Sequence, residues 1–127
     1  PAQRVFRVTV TVGENHTTFP CLYDSGNHLM EPFSGFPVLV VERDVAEQIV
    51  TVPSDPEELP IGQGWRLIPY DTLKGGGLLP AFMPRRVDIH TRQGERAITE
   101  CYVAVCDRLG RGEYRGLMGS AMGENLV

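Results

Sequence analysis

The stretch RVFRVTVTVGENHTTFPCLY, residues 4 to 23, constrains the fold more than any other part of the chain. Val, Phe and Thr recur at strand spacing, and the second half of the first arm alternates apolar and polar side chains cleanly. Gly13-Glu14-Asn15 is a hairpin turn signal, and HTTFPCLY returns as a second strand. Further on, Pro37 to Glu42 reads as a short, fully apolar strand. Arg43 to Val50 sets Val45, Ile49 and Val50 at helical spacing, which predicts about two turns of helix. Val52 to Gly64, with its prolines and glycines, is loop. Trp65 to Pro69 is a strand, and Asp71 to Leu79 (DTLKGGGLL) predicts a mobile hairpin with Gly75, Gly76 and Gly77 at its flexible tip. A further hairpin pairs Arg86–Thr91 with Ala97–Cys106 around Gln93-Gly94-Glu95. Its second arm alternates at first and then turns continuously apolar, as an increasingly buried strand does. Tyr114 to Met118 is the last strand, and Gly119-Ser120 begins a helical turn. Short strands with turn signals every eight to twelve residues predict an all-β, barrel-like fold with one short helix.

Composition narrows the function classes. A chain of 127 residues, 42% apolar and 22% charged, is expected to form one soluble domain over residues 1–127. A net charge of -4 and a pI near 5.3 leave no basic excess for a nucleic-acid backbone. The longest apolar stretch, Pro37 to Val41, is far too short to span a bilayer. Because the chain opens on Pro1 without an initiator Met, it reads as a fragment of a longer protein. Cys21, Cys101 and Cys106 are odd in number and lack CxxC spacing, which fits a reducing compartment, and Cys21 and Cys101 fit small apolar filler in strands. His16, His28 and His90 are scattered and suggest no zinc cluster, and the acidic run Asp55 to Glu58 reads as a solvated loop; neither metal nor cofactor is expected. Arg85-Arg86 fits a solvated strand end, and Trp65 a core or strand-face anchor.

One stretch carries chemistry. In CLYDSGNHLMEPFSGFPVLVVE an apolar run stops on Asp24, turns through Ser25, Gly26 and Asn27, and resumes as a strand. All four are turn formers, so a surface turn and a catalytic carboxylate on a tight loop both fit. The context adds a Gly-rich hairpin downstream and the apolar-apolar-Gly segment Leu117-Met118-Gly119 near the C-terminus. That three-part order is similar to a retropepsin-like aspartic protease protomer.

The segment Asp24-Ser25-Gly26-Asn27-x-Leu29-x-Glu31-Pro32, followed by Gly35-x-Pro37-Val38, resembles the sporulation sigma-E factor-processing peptidases, the SpoIIGA family. So do Leu67-Ile68-Pro69-Tyr70, the Gly-rich Lys74 to Leu78, Ala81-Phe82-x-Pro84 and Val87-x-Ile89. The similarity runs from about Val5 to Met122. The family pattern carries Asp where this chain has Glu31, a change expected to touch only the motif's periphery. The resemblance implies a cytoplasmic retropepsin-like domain joined to a polytopic membrane domain. It would remove the pro-segment of an inactive sigma factor, under an activating protein acting through the membrane part.

Aspartic proteolysis needs two carboxylates close enough to share one proton. This chain has a single Asp-Ser/Thr-Gly, because Asp71-Thr72 is followed by Leu73. A two-fold homodimer with Asp24 facing its symmetry copy is therefore expected, Ser25 holding the two loops in register and Gly26 letting an N–H reach the carboxylate. Tyr70, Lys74, Gly75, Gly76, Gly77 and Leu78 would form the flap over a substrate strand. His28 fits a solvent-side or hydrogen-bonded histidine. The alternative is the same fold used as a dimerisation or binding module without turnover. A small-ligand β-barrel has little in its favour, with no phosphate-cradling loop or Cys/His pair.

Overall fold

Alternation in the first hairpin becomes pairing. Strands β1 (Arg4–Val12) and β2 (Asn15–Tyr23) run antiparallel, with Val8 opposite Phe19 and Val10 opposite Thr17. The computed structural model describes residues 4–60, 62–72, 75–110 and 112–124. Within them the further strands are β3 (Val38–Glu42), β4 (Arg66–Thr72), β5 (Gly75–Phe82), β6 (Arg86–Thr91), β7 (Gly94–Ile98), β8 (Tyr102–Cys106) and β9 (Gly116–Met118). They form one sheet in the order β4-β5-β8-β3-β9-β2-β1-β6-β7. The protein is all-β, as its turn spacing predicts. Strand pairing does not close the expected barrel: β4 and β7 end the ladder.

Two strands explain how the core is divided. On β3, Leu39 and Val41 join the larger apolar cluster, while Val38 and Val40 face a second one with Ile68, Ala81 and Tyr102. Neighbouring β8, parallel to β3, divides likewise, with Val103 and Val105 on one side and Tyr102 and Ala104 on the other. Strands buried on both faces lose the apolar–polar alternation, which is why VLVV and YVAV read as continuous apolar runs.

The expected single arm Ala97–Cys106 is two strands. β7 ends at Ile98 on the sheet edge, and β8 starts at Tyr102 between β5 and β3. The break falls at exposed Thr99 and Glu100, where the alternating pattern turns continuous.

Two short α-helices appear rather than one. Helix α1 spans Arg43–Ala46 and continues as hydrogen-bonded turns, with Val50 N–H donating to Ala46 O at 3.0 Å. Val45, Ala46 and Ile49 are buried in the larger cluster, so the helical spacing located the right face. Helix α2 spans Ser120–Gly123, just after β9. Trp65 packs edge-on to Phe82 with ring centroids 5.3 Å apart. Arg85 donates to the Thr11 and Gly13 carbonyls at the end of the first hairpin, the solvated strand end expected of it. No helix among the described residues is long and apolar enough to cross a membrane.

Candidate active site

Three strands aim the Asp24 loop. β9 lies between β2 and β3, parallel to the first and antiparallel to the second, although β2 and β3 are joined by the loop itself. Register pairs Tyr23 with Met118, and the Asp24 N–H donates to the Met118 carbonyl at 2.9 Å. The buried end of β2 therefore hands over to the loop at Asp24, whose side chain is exposed.

Within the loop, Asn27 N–H donates to Asp24 O at 3.0 Å and Gly26 N–H donates to Asp24 Oδ1 at 3.0 Å. Asn27 Oδ1 accepts from Leu29 N–H at 2.9 Å, while Asn27 Nδ2 is buried without a partner among the described residues. Ser25 is exposed. A Cβ built on Gly26 would sit 3.4 Å from Asp24 Oδ1, an ordinary contact, so this bond alone does not require glycine there.

The obligatory glycine lies elsewhere. A Cβ on Gly119 would sit 2.1 Å from the Asn27 carbonyl oxygen, a backbone atom that cannot rotate aside. That same oxygen accepts from Ser120 N–H at 3.0 Å, and His28 Nδ1 lies 2.7 Å from Ser120 Oγ. One turn later, Gly123 packs against Tyr23, where a Cβ would meet the ring at 2.3 Å. Helix α2 thus clamps the loop from outside through two glycines. Leu117-Met118-Gly119 signalled this clamp in the sequence; the part played by Gly123 left no such mark.

Glu31 corrects the expectation that it is peripheral. It is 1% exposed, and its carboxylate accepts from Phe33 N–H at 3.2 Å and Ser34 N–H at 2.7 Å. Burial pushes its carboxyl up, but hydrogen bonds from Ser34 and Phe33, with the charge of Arg66, outweigh this and hold it below the ordinary value. The residue organises the turn that returns the chain to β3.

A cleft of about 410 Å³ opens at the loop, lined by Asp24, Gly26, Asn27, His28, Leu29, Pro69, Tyr70, Asp71 and Leu117. The β4–β5 hairpin forms its other wall. Burial raises the Tyr70 hydroxyl, with smaller contributions from the charges of Cys106 and Asp24. The expected flexible tip is corrected: Gly75, Gly76 and Gly77 are strand residues of β5, paired with Thr72, Asp71 and Tyr70. Positions 73 and 74 lie outside the described residues, and with them the expected flap residue Lys74. Leu78 is exposed and lines a separate cavity beside Arg43 and Cys106.

Other catalytic chemistries find little footing. Burial pushes all three thiols up, Cys101 and Cys106 to about 12, which keeps them protonated and poorly nucleophilic at neutral pH. The Ser120–His28 pair has hydrogen-bond geometry, but Ser120 does not line the cleft, and no carboxylate among the described residues bonds the histidine. No group of three His, Cys, Asp or Glu among the described residues could hold a metal ion.

An exposed Asp-Ser-Gly carboxylate facing a hairpin across a cleft, on an all-β frame, defines a candidate hydrolase site. A family model described as Peptidase_U4, Sporulation factor SpoIIGA, matches residues 1–122. The chain belongs to that family, and its role is that of a peptidase in sporulation. No curated protein matches it significantly.

Proposed function

We propose that the chain is a single aspartic endopeptidase domain that completes a retropepsin-like barrel and an active site only as a two-fold homodimer. Asp24 and the partner subunit's Asp24 would face one another and share one proton, since like charges at that distance cannot both ionise. The ionised carboxylate takes a proton from water as its oxygen attacks the scissile carbonyl carbon; the protonated one donates to the carbonyl oxygen. Collapse of the tetrahedral intermediate re-forms C=O as a hydroxyl proton returns to the carboxylate that donated one, the C–N bond breaks, and the proton taken from water leaves on the amine.

The observation that carries this reading is the state of Asp24. Its main chain is fixed by Met118 and Asn27, and Oδ1 accepts from Gly26. Oδ2 has no hydrogen-bond partner among the described residues, and Asp24 lines the cleft. A plain turn aspartate needs neither an inserted β9 nor the α2 clamp. Ser25, exposed beside it, is free to bond across the dimer axis. Tyr70 and the glycine strand supply the covering flap, beneath which a substrate would lie extended.

Membership of the sporulation family favours the inactive precursor of a sporulation sigma factor as substrate, with its pro-segment removed. It also favours a parent chain anchored in the membrane, its protease domain on the cytoplasmic face, and an activating protein acting through that anchor. A dimerisation module without turnover remains the competing reading. Sedimentation across concentration, run beside a cleavage assay on the precursor for wild type and Asp24→Ala, separates them. The protease reading expects a dimer in both and cleavage only in wild type, with Ser25→Thr retaining more activity than Ser25→Ala. A stable dimer that cleaves nothing would leave the binding module.

A further inference from the structure

Among the described residues Asp71 is the second carboxylate that lines the cleft, and β4 carries it there while the β2–β3 loop carries Asp24. It belongs to β4, opposite Gly76 of β5, and its exposed side chain has no hydrogen bond or ion pair among the described residues. Gly76 is what gives it room. A Cβ there would come within 2.9 Å of Asp71 Oδ1, whereas one on Gly77 would meet nothing within 4 Å. One glycine of the run thus admits the carboxylate across the hairpin, and its neighbour does not serve that purpose.

The charge around the cleft is one-sided. Among the described residues its ionisable lining is Asp24, Asp71, Tyr70 and His28, without Lys or Arg, and His28 is tied through Nδ1 to Ser120. A narrow space lined by one sign of charge attracts the other. A substrate strand in the cleft turns alternate side chains toward the hairpin, so a side chain facing the hairpin meets Asp71 while the backbone meets Asp24.

From this placement we infer that Asp71 is a specificity-determining residue, selecting substrates that set a Lys or Arg side chain against the hairpin near the scissile bond. The inference rests on the cleft being the peptide-binding site. A cation paired with Asp71 is partly shielded from water and gains a charge-assisted hydrogen bond. A neutral side chain leaves the carboxylate unpaired, and an acidic one meets repulsion.

The test uses the 127-residue chain and a random-sequence peptide library, read in two ways. Cut products are sequenced for wild type, Asp71→Asn, Asp71→Lys and Gly76→Ala. Retained peptides are sequenced after capture on the same variants carrying Asp24→Asn, which removes turnover. Wild type is expected to enrich Lys and Arg over Glu at one position by roughly 3- to 30-fold. Asp71→Asn erases the preference, Asp71→Lys inverts it toward Glu and Asp, and Gly76→Ala weakens it by displacing the carboxylate. The same ranking in wild type and Asp71→Lys would overturn the inference, as would loss of all turnover in Asp71→Asn with retained-peptide preferences unchanged, the mark of a catalytic carboxylate. Failure of the protease reading looks different: retained peptides follow the charge at position 71, yet Asp24→Asn leaves any cleavage as it was.

Discussion

Asp24 and Glu31 flank the same loop and use their carboxylates in opposite ways. Asp24 is exposed and its carboxylate accepts one backbone bond, from Gly26; Glu31 is buried and accepts from two backbone donors. Replacing Asp24 by Ala removes no packing, so its effect on stability by urea unfolding is expected to stay within about 0.5 kcal/mol while cleavage is lost. Glu31→Ala removes the charged acceptor of the Phe33 and Ser34 N–H groups and is expected to cost about 1.5–3 kcal/mol. Its pH signature has a definite sign. The folded carboxyl is held below its ordinary value of 4.5, so its contribution is complete above that value and is lost as pH falls through the folded one. Wild type should therefore lose stability on acidification more steeply than Glu31→Gln, measured by urea midpoints between neutral pH and pH about 3.

At the scale of elements, the loop depends on contacts distant in sequence. β9 reaches between β2 and β3, and α2 locks the loop through the Gly119–Asn27 approach. Gly119→Ala has no side-chain movement to relieve it. It is expected to shift the loop, cost about 1–3 kcal/mol in a thermal melt and depress cleavage with Asp24 intact. Gly77→Ala, with open space around the new methyl, should leave the melt unchanged. Local patterning made β1, β2, the helical face at Val45 and Ile49, and the existence of a glycine-rich hairpin legible, though not the place of its glycines within a strand. What it could not carry is partner choice. The ten residues from Ala97 to Cys106 hold two strands because Thr99 and Glu100 are exposed and β8 pairs with segments far away. Glu31 read as peripheral because nothing local to a Glu signals that backbone donors will bury it.

At the scale of the whole molecule, the proposed chemistry needs two copies of the chain. The Asp-Ser-Gly loop, Leu117 of the C-terminal apolar-apolar-Gly segment and the β4 arm of the hairpin line one cleft, so their proximity was legible from motif order, whereas the strand ladder does not close into the expected barrel. One protomer supplies one such carboxylate, and the account requires the second from a symmetric copy. The direct test is to co-refold wild type with Asp24→Ala at fixed total concentration and to follow the cleavage rate against wild-type fraction. If both Asp24 carboxylates are needed, only wild-type homodimers cut, and an equal mixture retains about one quarter of the wild-type rate. A linear decline, with about one half retained in the equal mixture, would mean that each protomer carries a complete site of its own and would contradict the account.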